Sequence, residues 1–127
     1  MSGLCLAAGL ITAALPFSAF TLAWTHSIEK IRWEEDYHIA RGRLVPDEAR
    51  IRGSGAGMEP PPNAQLRDGV WHYPPELAPL RSLKLSHSPY TRGYELCHGA
   101  RCQPLAALLP GLPEFALIEV SPCAKQP

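Results

Sequence analysis

The chain has 127 residues, and its 12 basic and 12 acidic side chains give a formal net charge of zero. This length fits one domain over residues 1–127, and the balanced charge gives no reason to expect a nucleic acid as partner. An apolar content of 46% excludes a wholly disordered chain, while 14 prolines argue against long helices. Composition therefore predicts one small neutral domain built from short elements.

The first 28 residues contain no Asp, Glu, Lys or Arg. A cleavable signal would need a cationic segment between Met1 and Leu4, and a membrane span over 4–24 would contain Pro16 and lack a basic flank. We therefore expect residues 1–19 to be retained and to add a strand, with a membrane anchor as the alternative. Cytoplasmic, membrane-associated and periplasmic locations all stay open.

Two alternating runs follow, over residues 20–29 and 31–39, with the period of two that is typical of half-buried strands. We predict that they form a hairpin around Glu29-Lys30. This pivot places Trp24 opposite Glu35 and His26 opposite Trp33.

The rest of the chain predicts short strands separated by Gly and Pro clusters. The predicted elements are a strand over 43–52 with Pro46 at a sheet edge, a glycine turn over 53–57, a stiff connector over 60–63, strands over 70–73 and 83–87, a hairpin over 94–105, a helical turn over 106–109, a strand over 115–120 and a loose tail over 121–127. The fold class is all-β, either a small antiparallel β-sandwich or a partly open barrel.

Several segments together resemble a known family. These are Phe20–Lys30 (FTLAWTHSIEK), Trp33–Tyr37 (WEEDY), Gly53–Met58 (GSGAGM), Asp68–Trp71 (DGVW) and Leu96-Cys97. The combination resembles the bacterial domain-of-unknown-function family numbered eighteen-fifty, which has no established activity. Its members are often encoded beside the fused membrane subunits of tripartite (TRAP/TAXI-type) solute transporters. The resemblance thus implies an accessory role by association, with a membrane transporter subunit as partner.

The predicted hairpin contains a candidate binding site. His26 and Glu35 share an otherwise apolar face, about 7–8 Å apart on the diagonal, where they could bind a polar group or shuttle a proton. The alternative is a structural hydrogen bond between them. Ser27 and Glu29 are further candidate ligand residues, but Ser27 points to the face opposite His26, so a Ser-His-acid hydrolase is not expected.

A second candidate site is the glycine-rich turn. The backbone N–H groups around Gly53, Gly55 and Gly57 could converge on an anion, with help from Arg50 or Arg52. The alternative is a simple glycine-dependent turn. No Gly-Lys-Ser/Thr follows, so the segment is not a P-loop.

The cysteines predict a disulfide and not a metal site. The chain has no Cys-x-x-Cys pair, and its five histidines are scattered. Cys97 and Cys102 lie at facing positions of a predicted hairpin, where a disulfide can form in an oxidising compartment. The sequence does not pair Cys5 or Cys123, and we expect no metal and no cofactor.

These patterns predict a small accessory domain that acts by binding. Its expected partner is a membrane transporter subunit or a small polar or anionic solute. The alternative is a small enzyme or proton-handling domain that uses His26 with Glu35 or Glu29.

Overall fold

The computed structural model describes residues 3–25, 31–52 and 61–123. In these ranges the strands are β1 (Leu4–Ala8), β2 (Ile11–Leu15), β3 (Ala19–Thr25), β4 (Arg32–Ala40), β5 (Arg43–Arg52), β6 (Gln65–Arg67), β7 (Val70–Tyr73), β8 (Leu83–His87), β9 (Tyr94–His98), β10 (Arg101–Pro104) and β11 (Ala116–Pro122), with a short 3₁₀ helix over Leu105–Leu108. Within this part of the chain, no helix has the length and apolar character needed to cross a membrane.

The strands form two antiparallel sheets. The four-stranded sheet has the order β2-β1-β11-β8, and the seven-stranded sheet has the order β10-β9-β3-β4-β5-β7-β6. The sheets pack face to face and do not close into a barrel. The all-β prediction is confirmed, and of its two architectures the chain adopts the sandwich.

The core lies between the two sheets and is supplied largely by alternate residues of the central strands. Leu4 and Leu6 of β1 and Val120 of β11 come from one sheet, whereas Phe20 and Leu22 of β3 come from the other. All five side chains are buried. Alternation thus determines which face of each strand is covered.

Residues 1–19 contribute strands β1 and β2, joined at Gly9, whose φ of 61° is one that glycine adopts freely. β1 pairs with β11 at the other end of the chain. β11 runs to Pro122, and Cys123 forms a disulfide with Cys5. The prediction of a loose tail is therefore wrong for 121–123, because pairing with β1 extends the strand. Residues 124–127 lie outside the described ranges.

Pro46 lies at a local edge of the sheet, as predicted. β5 stands between β4 and β7 in the strand order, but its described pairing with β7 covers Ala49–Arg52, whereas Pro46 pairs with Tyr37 of β4. The pairing changes from Asp36 opposite Glu48 to Tyr37 opposite Pro46, so Asp47 is an extra residue in β5. A bulge of this kind interrupts the ladder and tolerates a proline without an N–H group to donate.

Candidate functional site

Glu35 lies on the inner face of the seven-stranded sheet, among apolar side chains. It stands in the central strand β4, between Leu22 of β3 and Ala49 of β5, and it is half-buried. Tyr37, two residues along the same face, is buried and donates a hydrogen bond of 2.7 Å from its hydroxyl to Glu35 Oε1. The strand therefore presents a carboxylate to the interior with a neutral donor beside it.

Three aromatic side chains form a continuous layer across β9, β3 and β4. Trp24 lies opposite Trp33 in one neighbouring strand and opposite Tyr94 in the other. The rings of Trp24 and Trp33 are stacked with centroids 6.1 Å apart, and the Tyr94 ring is tilted against Trp24 at 5.8 Å. Glu35 is one diagonal step from Trp24, which corresponds to about 7–8 Å. The aromatic layer and the carboxylate therefore lie on the same face of the sheet.

The charge of Glu35 contributes to a raised pKa at three tyrosines. Burial raises the pKa of Tyr37, and its hydrogen bond to Glu35 and the charge of Glu35 raise it further. Burial also raises the pKa of Tyr73 and of Tyr94, and the charge of Glu35 adds to both shifts. All three phenols stay protonated at neutral pH. The carboxylate is thus surrounded by neutral aromatic groups.

A solvent-open cleft of about 320 Å³ begins at this aromatic layer. Trp24 and Tyr94 form one wall of the cleft. Its other lining residues are small or bear hydroxyl groups, namely Thr25, Ser86, Ser88, Thr91 and Gly93. Among the residues that the structure describes, no lining side chain carries a formal charge. An aromatic wall with hydroxyl-bearing neighbours suits a small ligand that stacks and forms a few hydrogen bonds.

The predicted hairpin register is wrong by two residues, although the predicted faces are correct. Trp24 lies opposite Trp33, and Glu35 lies opposite Leu22. A two-residue shift preserves the face of every side chain but changes its partner across the strands. His26, Ser27 and Glu29 lie outside the described residues, so contact between His26 and Glu35 stays a prediction. Of the predicted hairpin site, the structure places Glu35.

The glycine-rich turn with Gly53, Gly55 and Gly57 also lies outside the described residues. The two arginines expected to assist it are placed, and both are engaged elsewhere. Arg50 donates to Asp36 Oδ1 and Oδ2, Glu34 and Glu48 at 2.6–2.9 Å, and Arg52 donates to Glu34 at 3.1 Å. Their charges are therefore already compensated on the sheet.

These contacts belong to an ionic network on the outer face of the seven-stranded sheet. Arg50 is its centre, and Arg32 extends it to Glu34 and Glu95. Burial alone would raise the pKa of Glu34, but hydrogen bonds from Arg32 and Arg50 and the charges of Arg52 and Arg50 outweigh it and lower the pKa. The alternation of Arg32, Glu34 and Asp36 signals a charged face, but the arginine that joins them comes from β5.

The four cysteines form two disulfides. Cys97 and Cys102, directly opposite each other in β9 and β10, are joined as the sequence predicts, and Cys5 is joined to Cys123. Disulfide-bonded cysteines are not available as metal ligands. Among the described residues, no group of three or more His, Cys, Asp or Glu side chains is placed to hold a metal ion.

Comparison with known families identifies a matching family model. A family model described as Domain of unknown function (DUF1850) matches residues 20–105, about two thirds of the chain. The matched segment includes Trp24, Glu35 and Tyr94, whereas β1, β2 and β11 lie outside it. No curated protein and no solved structure matches.

Proposed function

We propose that this chain, which belongs to the DUF1850 family, is an accessory domain that binds a small polar solute on behalf of a membrane transporter. The cleft beside Trp24 and Tyr94 carries the proposal. Aromatic faces supply contact area for a small molecule, and hydroxyl-bearing residues supply hydrogen bonds that orient it. The transporter is a fused membrane subunit of the tripartite type that the family resemblance implies.

The chemistry of the cleft favours binding over catalysis. Nucleophilic catalysis needs a nucleophile within hydrogen-bond reach of a base that a third group orients. In the described ranges, Ser86, Ser88 and Thr91 at the cleft donate no hydrogen bond to a histidine or a carboxylate. The residues of the cleft can therefore hold a ligand, whereas a reaction would need groups from elsewhere.

The cysteine pairing supports a location on the periplasmic side of the membrane. All four cysteines are in disulfides, and such bonds persist in oxidising compartments. A solute-binding accessory domain of a transporter that works with a periplasmic binding protein would function on that side.

Calorimetric titration with a panel of small solutes tests the binding function. We expect at least one polar solute to bind the intact chain and Trp24→Phe to weaken binding about fivefold or more, because the indole forms the cleft wall. Trp71→Phe is the matched control, since Trp71 lies three strands away on β7. Equal weakening by both variants, or no binding by any solute, would contradict the proposal.

Copurification tests the partner. We expect the fused membrane subunit of the transporter, identified by mass spectrometry from native membranes, to copurify with the tagged chain. If the subunit does not copurify under conditions that preserve the transporter complex, the proposed partner is wrong, and the binding function is tested by calorimetry alone.

A further inference from the structure

The carboxylates on the two faces of the seven-stranded sheet accept hydrogen bonds from different kinds of donor. On the outer face, Glu34, Asp36, Glu48 and Glu95 each accept a hydrogen bond from an arginine. On the inner face, Glu35 accepts one from the neutral hydroxyl of Tyr37. Within the described part of the chain, no Lys or Arg forms an ion pair with Glu35. A half-buried carboxylate is stabilised by a cation, and here the protein places aromatic rings beside it.

Aromatic rings beside a carboxylate recognise organic cations. A cation within about 6 Å of a ring centroid is attracted by the negative face of the ring, most strongly for tryptophan. Trp24 and Tyr94 line the cleft, and the ring of Trp33 stacks against that of Trp24. Within the described part of the chain, the cleft is lined by no charged side chain that could repel a cation or replace it.

We propose that the cleft binds a small organic ammonium cation, which packs on Trp24 and Tyr94 and is attracted by the charge of Glu35. This inference rests on the proposed function, because the cation would occupy the same cleft. It assigns a positive charge to the solute, in place of the anionic alternative considered from the sequence. Neutral phenols at Tyr37, Tyr73 and Tyr94 leave the charge of Glu35 as the attractive centre.

The test compares choline with the neutral alcohol in which a tert-butyl group replaces its trimethylammonium group. The two probes have nearly the same shape and differ in charge. By calorimetry on the full chain, we expect choline to bind at least about tenfold more tightly than the alcohol. Glu35→Gln should reduce this difference, since glutamine keeps an oxygen for the Tyr37 hydroxyl but removes the charge, while the attraction of the rings for a cation remains. If the Glu35→Gln variant prefers choline over the alcohol as strongly as the unaltered chain does, the proposal is overturned.

A second measurement does not depend on any variant. The methyl protons of choline should shift upfield in the NMR spectrum of a mixture with the unaltered chain, because they lie over an aromatic ring. If the alcohol binds as well as choline and Trp24→Phe weakens both, the cation proposal fails and the binding function stands. If neither choline, the alcohol nor any other small solute binds, the binding function fails as well.

Discussion

Arg50 is the single side chain on which the outer face of the seven-stranded sheet depends most. Its side chain is 15% exposed and contacts Glu34, Asp36 and Glu48. Arg50→Met should lower the free energy of unfolding by about 3 kcal/mol, because it leaves carboxylates close together with Glu34 only 8% exposed. Chemical denaturation followed by tryptophan fluorescence measures this loss.

Arg52→Met is the control for that loss. The Arg52 side chain is 49% exposed and, among the described residues, its guanidinium forms an ion pair with Glu34 only, so its removal should cost less than about 1 kcal/mol. Similar losses for the two arginines would mean that burial and the number of contacts do not set the contribution of these ion pairs.

Strands β4 and β5 are joined by this network across their outer faces, which makes their pairing sensitive to acid. Burial opposes the shift, but hydrogen bonds from arginines lower the pKa of Glu34 below its ordinary 4.5 and that of Asp36 below its ordinary 3.8. In this pH range the unfolded chain therefore binds more protons than the folded one, so stability increases with pH. The contribution is fully present above pH 4.5 and is lost as pH falls through the lowered values.

Thermal unfolding between pH 6 and about pH 3 measures this effect. We expect the melting temperature of the unaltered chain to fall steeply below pH 4.5. The Arg50→Met variant should show a shallower slope, because Glu34 and Asp36 titrate closer to their ordinary values without it. Parallel slopes would show that other carboxylates cause the acid sensitivity.

The elements also show what can be predicted from sequence. Strand β8 has the predicted bounds, Leu83–His87, because alternation and flanking turn residues are local signals. The register of β3 and β4 cannot be predicted in the same way, since it depends on the length of the connection between them, which alternation does not specify. Pro46 predicts a local edge correctly but not the bulge beside it, because a bulge and an edge both tolerate proline.

The candidate site, too, is predictable from sequence only in its local features. Periodicity alone is enough to place Glu35 and Trp24 on one apolar face. The cleft is not predictable by this means, because it forms where β3 pairs with β9, about 70 residues further along the chain. The pairing of Tyr94 with Trp24 is a long-range contact that short-range patterns do not encode.

At the scale of the whole molecule, the two ends of the chain meet. β1 and β11 are neighbours, and the Cys5–Cys123 disulfide joins residues 118 positions apart. The Cys97–Cys102 disulfide joins residues only 5 positions apart within one hairpin. In the chain-entropy model, a cross-link stabilises by restricting the unfolded chain, and the effect grows with the length of the closed loop.

The two disulfides should therefore contribute unequally. Replacing Cys5 and Cys123 by serine should lower the free energy of unfolding by about 4–5 kcal/mol, against about 2 kcal/mol for the same change at Cys97 and Cys102. Denaturant titration of the two double variants compares them directly, and the shorter loop serves as the control for removing a disulfide. A larger loss at Cys97 and Cys102 would show that contacts in the folded hairpin, and not restriction of the unfolded chain, determine what these bonds contribute.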